Sequence, residues 1–211
     1  MSVNRMDINN IIFDLKGIID ECVKYDANKK EVLDTYRFHA IEDEIKRITD
    51  DTRTACAKHV NDIQRSLDSL LKSVETGNDY DVNSDAVANA AGLLSKRGIS
   101  SVAAETVIKK FVGNQVALSL IHASAADDYK GLIEHWMFDN VGELNKLKTK
   151  TELFNYESIE NYPGICSSIR QTIEKFARIQ GIDMSLVNSS IEELKINTVC
   201  LLSGFNPSIF K

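Results

Sequence analysis

The sequence predicts an all-α protein, with a long N-terminal helical hairpin or coiled-coil-like arm followed by a C-terminal multi-helix bundle. Three observations predict this class. The 211 residues include only 2 prolines and 10 glycines, so long stretches contain no helix breaker. Apolar residues recur at the three- and four-residue spacing of helices, and no segment alternates as a strand does. A hydrophobic fraction of 43% is that of a globular protein and excludes a wholly disordered chain.

The first predicted helix covers residues 7–25. Its apolar side chains form one stripe of a helix, at Ile8, Ile12, Leu15, Ile19 and Cys22. Residues 25–28 are predicted to form a short turn. The reason is that Asn28 and Glu31 have the spacing of a capping box, which opens a new helix.

The second predicted helix runs from residue 29 to residue 74, where the chain contains neither proline nor glycine. A helix of this length would reach ~68 Å, which is longer than a compact domain of this size. It is therefore expected to protrude, to bend near Thr49–Thr52, or to pair with another copy. Its apolar positions recur about every 3.7 residues, close to an eleven-residue repeat. The residues predicted to contact a protein partner are Ile41, Ile45, Ile48, Val60, Ile63 and Leu67.

Residues 77–85 are predicted to form the loop that ends this arm. Gly77 is a natural helix stop, and Ser84 or Asp85 can cap the next helix. Acidic and amide side chains alternate between 79 and 85, as in calcium loops. The glycine and the final acidic residue that a calcium loop needs are missing, which favours a solvated capping loop.

Residues 86–126 differ in composition from the rest of the chain. Ten of the 41 residues are alanine and only five are charged. A helix is predicted from 85 to 96, a turn at Gly98–Ser100, and a second helix from 101 to 126. Because the second helix is apolar on nearly every side, it is expected in the middle of a bundle.

The remaining residues are predicted to add further helices to this bundle. One helix extends from about 129 to 148, a shorter one covers 151–161, and Tyr162–Gly164 forms a break. The next helix ends at Gly181, and a capping box at Ser190 opens the last one. The predicted organisation is thus an arm over residues 1–76, a loop over 77–85 and a bundle over 86–211.

Charge and cysteine usage limit the possible partners and compartments. The formal net charge is −6, and no segment carries a strong positive excess, which argues against general binding to nucleic acid or anionic lipid. The longest uncharged run, 111–126, is too short for a membrane span. The cysteines, all within apolar helical patterns and none in a CxxC pair, are predicted to be core residues of a cytoplasmic protein. They are Cys22, Cys56, Cys166 and Cys200.

The sequence contains no glycine-rich phosphate loop, GxSxG elbow, HExxH motif or kinase signature. A zinc site at Cys56 and His59 would lack two ligands. No catalytic residue, metal or cofactor is therefore predicted. The leading hypothesis is a non-catalytic helical interaction protein, an oligomeric scaffold, adaptor or regulator. It would bind a protein partner or a second copy through the long helix.

Two alternatives remain open. Residues 93–110 have the outline of a DNA-binding helix-turn-helix, with serines facing the groove and basic residues contacting phosphates. Its contact residues would be Ser100, Ser101, Lys96, Arg97, Lys109 and Lys110. The second alternative, a metal-dependent all-α nucleotide hydrolase, would use the carboxylates of Glu42, Asp43, Glu44, Asp50 and Asp51. Basic residues alternate with these carboxylates, which is typical of a solvated helix face.

Overall fold

A computed structural model describes residues 5–36, 38–77, 85–112, 114–137 and 140–204. Within these ranges every regular element is a helix, in a long N-terminal hairpin followed by a helical bundle, as the sequence predicts. The α-helices are α1 (Arg5–Thr35), α2 (Phe38–Gly77), α3 (Asp85–Leu94), α4 (Ser101–Lys109), α5 (Gln115–Ser124), α6 (Asp127–Trp136), α7 (Asn140–Glu152), α8 (Tyr162–Ile179) and α9 (Asn188–Ser203). Among these described helices, none combines the length and the apolar character that a membrane span needs.

The N-terminal hairpin turns at a different place from the one predicted. The turn at 25–28 and the continuous helix from 29 to 74 are both wrong, because α1 continues to Thr35 and the chain bends at Tyr36. Nothing at 25–28 breaks a helix, and an ion pair between Asp26 and Lys30 spans the position of the expected turn at 2.9 Å. The predicted loop at 78–84 lies outside the described residues.

Two hydrophobic clusters share no residue. The larger one is built from α1, α2, α7, α8 and α9, so the hairpin packs directly against the C-terminal helices. The smaller one is built from α3 to α6, which lie between α2 and α7 in the chain. The four cysteines are buried and unbridged, which confirms their prediction as core residues. The domain boundaries at 76 and 86 stay a prediction.

The helix predicted from 101 to 126 is wrong as a single element, since it is divided into α4 and α5. Asn114 causes the division: its buried side-chain Oδ1 accepts a hydrogen bond from the Ala117 amide at 2.9 Å and so caps α5. The expected central position is wrong as well. Helix α5 buries one face only, through Ala117, Leu118 and Ile121.

The predicted turn at Gly98–Ser100 is confirmed, and it is held by the α5–α6 junction. Gly98 has a φ of +96°, a left-handed value that favours glycine. The Tyr129 hydroxyl accepts a hydrogen bond from the Ile99 amide and donates one to the Ile99 carbonyl, both at 2.8 Å. The Ala126 amide donates to the Leu94 carbonyl at 2.9 Å. These bonds tie the end of α3 and the turn that follows it to the start of α6.

In the C-terminal part, α8 ends just before Gly181 as predicted, but several other helix boundaries differ from the predictions. The predicted helix over 129–148 is two helices, α6 and α7, and the predicted helix over 151–161 is two short 3₁₀ turns, Leu153–Asn155 and Ile159–Asn161. The break predicted at Tyr162–Gly164 is the first turn of α8, where proline is tolerated because its missing N–H has no intrahelical partner there. Ser190 lies inside α9, not at its start, so the second capping box is wrong too.

Candidate interaction surfaces and a polar cleft

The apolar line predicted as a partner surface on α2 lies against the hydrophobic core of its own chain. Ile48, Val60, Ile63 and Leu67 are buried in the larger cluster. Ile41 and Ile45 are half-buried and pack against it. The elements that pack against α2 are mainly α1, together with α7. The line is therefore covered by side chains of the same chain. Its role in binding a partner stays a prediction.

The predicted helix-turn-helix residues are exposed, but two of them, Ser100 and Lys109, already form contacts within the chain. Lys96 and Arg97 lie in the turn between α3 and α4, and Ser101 and Lys110 are exposed at the two ends of α4. The Ser100 hydroxyl caps α4 by accepting a hydrogen bond from the Ala103 amide at 3.3 Å. Lys109 pairs with Glu105 at 3.0 Å and lies 5.2 Å from the centre of the Trp136 ring. DNA binding through these residues stays a prediction.

The carboxylates near the start of α2 lie on a solvated face. Arg47 lies between Glu44 and Asp51, and its Nη1 is 2.8 Å from the Asp51 carboxylate. The hydrogen bond from Arg47 lowers the pKa of Glu44 below its ordinary value. In the part of the chain that the structure describes, no three His, Cys, Asp or Glu side chains gather in a way that could hold a metal ion.

Helices α3 and α5 pack side by side and form a surface that sequence reasoning missed. Their twenty residues contain one carboxylate, Asp85, and one histidine, His122, whose Nε2 lies 3.0 Å from the Glu134 carboxylate. The larger apolar side chains on this surface are Leu93, Val116 and Leu120, which are 47%, 54% and 45% exposed. Apart from Asp85 at the start of α3, the remaining exposed residues are small or neutral: Ala86, Ala88, Asn89, Gly92, Gln115, Ser119, Ala123 and Ser124. We call this set of residues the α3–α5 face.

A polar cleft lies between α1 and α2. It has a volume of about 380 Å³ and is lined by Asn10, Phe13, Asp14, Asp62, Arg65 and Ser66. At its edge, the Asp14 carboxylate lies 2.9 Å from Nδ1 of His59. Burial raises the pKa of Asp14 above its ordinary value, and the hydrogen bond from His59 opposes that shift. Arg65 pairs with Asp62 at 2.7 Å.

The imidazole of His59 fits at this edge because residue 17 of α1 is a glycine. A Cβ at that position would lie 2.6 Å from Nε2 of His59, closer than such atoms approach in proteins. The sequence feature that could have indicated this site is Gly17, a glycine inside a helix at a position where no turn is predicted. Its partner was not predictable, since the contact joins residues 42 positions apart.

Comparison of the chain with known protein families, with curated proteins and with solved structures finds no match. The α3–α5 face and the α1–α2 cleft therefore have to be interpreted from their own chemistry. The first is a half-exposed surface with a single carboxylate, that of Asp85. The second is a concave site lined mainly by polar side chains, within the size range of small-molecule sites.

Proposed function

We propose that the protein is a non-catalytic helical interaction protein and that the α3–α5 face is its contact surface. The observation that carries the proposal is the scarcity of charge across two half-exposed helices, which hold one carboxylate in twenty residues, in a chain of which 27% is charged. The cores of protein interfaces are depleted of charged residues, whereas solvated surfaces are rich in them. Exposed leucine and valine surrounded by neutral polar residues is the composition of such a contact.

The partner that this face fits is a second copy of the same chain. A two-fold interface places each patch against an identical patch. For a chain with a net charge of −6, most surfaces would bring like charges together. Amide and hydroxyl groups such as Asn89, Gln115 and Ser119 both donate and accept hydrogen bonds, so they can pair with their own kind. The small residues between them allow the helices to approach closely.

The expected association is weak and reversible. Each of the two helices has ten residues and is therefore ~15 Å long, so the face is smaller than the ~800 Å² per partner of a stable interface. We expect the weight-average mass to rise from 23.6 kDa toward twice that value as the concentration increases. Sedimentation equilibrium or light scattering across a range of concentrations measures this rise.

Substitution of Leu120 tests whether the α3–α5 face is responsible. Leu120→Glu places a carboxylate near its own symmetry mate, and we expect it to abolish the rise in mass. The matched control is Leu186→Glu, because Leu186 is 70% exposed in the turn before α9, away from the face. Equal loss of association in both variants, or a wild-type chain that stays monomeric at millimolar concentration, would contradict the proposal.

A further inference from the structure

We propose that the α1–α2 cleft binds a primary alkylammonium group, supplied by a free amine or by a lysine side chain. The binding groups are the carboxylates of Asp14 and Asp62, the hydroxyl of Ser66 and the side chain of Asn10, all of which line the cleft. This inference does not depend on the proposed function, because it concerns a different surface and a different core of the molecule.

Unused hydrogen-bonding capacity in the cleft points to a ligand that donates hydrogen bonds. His59 contacts only Oδ1 of Asp14, and Arg65 contacts only Oδ1 of Asp62. Among the described residues, none pairs with the second oxygen of either carboxylate. Ser66 is 8% exposed and lines the cleft, and its side-chain hydroxyl has no hydrogen-bond partner among the described residues. An ammonium group carries three N–H donors and no acceptor, which matches these oxygens.

The unpaired acceptor oxygens of the cleft favour a ligand that donates hydrogen bonds over an anion, while the charges of Asp14 and Asp62 are balanced by those of Arg65 and Lys58. Two carboxylates face the space, and burial of Asp14 raises the cost of its negative charge, which a bound cation offsets. The positive groups nearby are Arg65, which is paired with Asp62, together with His59 and Lys58 beside Asp14. A metal ion is a poorer fit, because the described residues offer no cluster of three ligands here.

The volume of the cleft and the Phe13 ring in its lining suit an alkyl chain behind the ammonium group. Phe13 lines the cleft and is half exposed, so it offers an apolar surface against which methylene groups can pack. A volume of about 380 Å³ is large enough for a linear amine and lies at the lower end of small-molecule sites. An aromatic ring next to carboxylates is also a favourable setting for a cation.

The test is a titration of the full-length chain with n-butylammonium, followed by amide chemical shifts in NMR spectra. Saturable shifts are expected for residues around the cleft, and butan-1-ol, the neutral analogue, is expected to leave them unchanged. Asp14→Asn should weaken binding by about tenfold or more, since it removes a charge-assisted hydrogen bond, and Ser66→Ala by about threefold. Putrescine and Nα-acetyl-lysine methylamide, titrated separately, distinguish a free diamine from a lysine side chain as the source.

Asp68→Asn is the matched control for Asp14→Asn, because it also neutralises one aspartate in the hairpin, here on α2, and changes the net charge equally. It pairs with Lys148 outside the cleft. We expect it to change the affinity by less than about twofold. Equal weakening by Asp14→Asn and Asp68→Asn would reveal general charge attraction only and would overturn the site. Shifts of the same size with butan-1-ol, or no saturation with any of the amines, would overturn it as well.

Discussion

Gly17 shows how one residue can be selected by a neighbour that is distant in sequence. Glycine inside a helix costs about 1 kcal/mol relative to alanine. Position 17 lies in the middle of α1, where local propensity alone would favour a larger residue. The cost is explained by the imidazole of His59, which lies against the Gly17 backbone and contacts Asp14 at the edge of the cleft.

Gly17→Ala is expected to destabilise the protein by about 1–3 kcal/mol, despite the better helix propensity of alanine, because the added methyl overpacks His59. Urea unfolding measures the change. The control is Gly131→Ala in α6, where nothing lies within 4 Å of the added Cβ. That variant is expected to gain about 0.5–1 kcal/mol. Combining Gly17→Ala with His59→Ala should recover much of the loss, and a purely additive double variant would contradict the assigned contact.

At the scale of elements, α1 is joined to the turn before α8 by a clip of three side chains. The Lys29 ammonium lies 2.7 Å from the Glu160 carboxylate, and the Tyr25 hydroxyl donates to the same oxygen at 3.2 Å. Lys29 also lies 5.5 Å from the centre of the Tyr25 ring. The hydrogen bond from Lys29 lowers the pKa of Glu160 to about 2.

This clip predicts a specific dependence of stability on pH. Because the folded pKa of Glu160 lies below its ordinary value of 4.5, the stabilisation is fully present above pH 4.5 and is lost as the pH falls toward about 2. The pair is half exposed, so solvent screening reduces its contribution to about 0.5 kcal/mol. Glu160→Gln should lower the free energy of unfolding by this amount at pH 7 and by nothing near pH 2.

The control for the clip is Glu192→Gln, which removes a local pair with Lys195 within α9. Its effect on the free energy of unfolding is expected to be smaller, because it joins no separate elements. Urea denaturation at several pH values separates the two variants. A loss in Glu160→Gln that is the same at pH 7 and pH 2 would contradict the ionic origin of the effect.

Helix content was predictable from the sequence because apolar spacing and the scarcity of proline are local signals. The ends of helices were predictable only where the signal was equally local, as at Gly98. Asn28 and Glu31 have the spacing of a capping box, but α1 continues through both residues. Pro163 lies in the first turn of α8 and does not break that helix. Asn114 divided what composition alone predicted as one helix.

The candidate sites were less predictable than the fold. The composition of residues 86–126 marked the segment as unusual. A helix that is apolar on all sides does not reveal which side is buried, so Val116 and Leu120 were expected inside and are exposed. The cleft needed the pairing of α1 with α2, which brings Asp14 close to His59 across 45 positions. Charge and spacing along one helix carry no signal for such a pair.

At the scale of the whole molecule, helices α3 to α6 form a segment of the chain that contributes to the smaller hydrophobic cluster and not to the larger one. Helices α2 and α7, which precede and follow this segment, pack antiparallel. Asp68 pairs with Lys148, and the Gln64 amide donates to the Thr151 hydroxyl at 3.3 Å, so positions earlier in α2 meet positions later in α7. Continued along both helices, this register brings the end of α2 near the start of α7.

This register predicts that residues 78–139 can be replaced by a linker of about six glycine and serine residues without loss of the larger core, because its helices and buried side chains lie outside the replaced segment. Circular dichroism and urea denaturation should show a helical chain with one cooperative transition. The shortened chain should stay monomeric where the full chain associates, since it lacks the α3–α5 face, yet bind n-butylammonium with unchanged affinity. A shortened chain that folds and still associates would place the contact on another surface, and one that does not fold would contradict the independence of the two hydrophobic clusters.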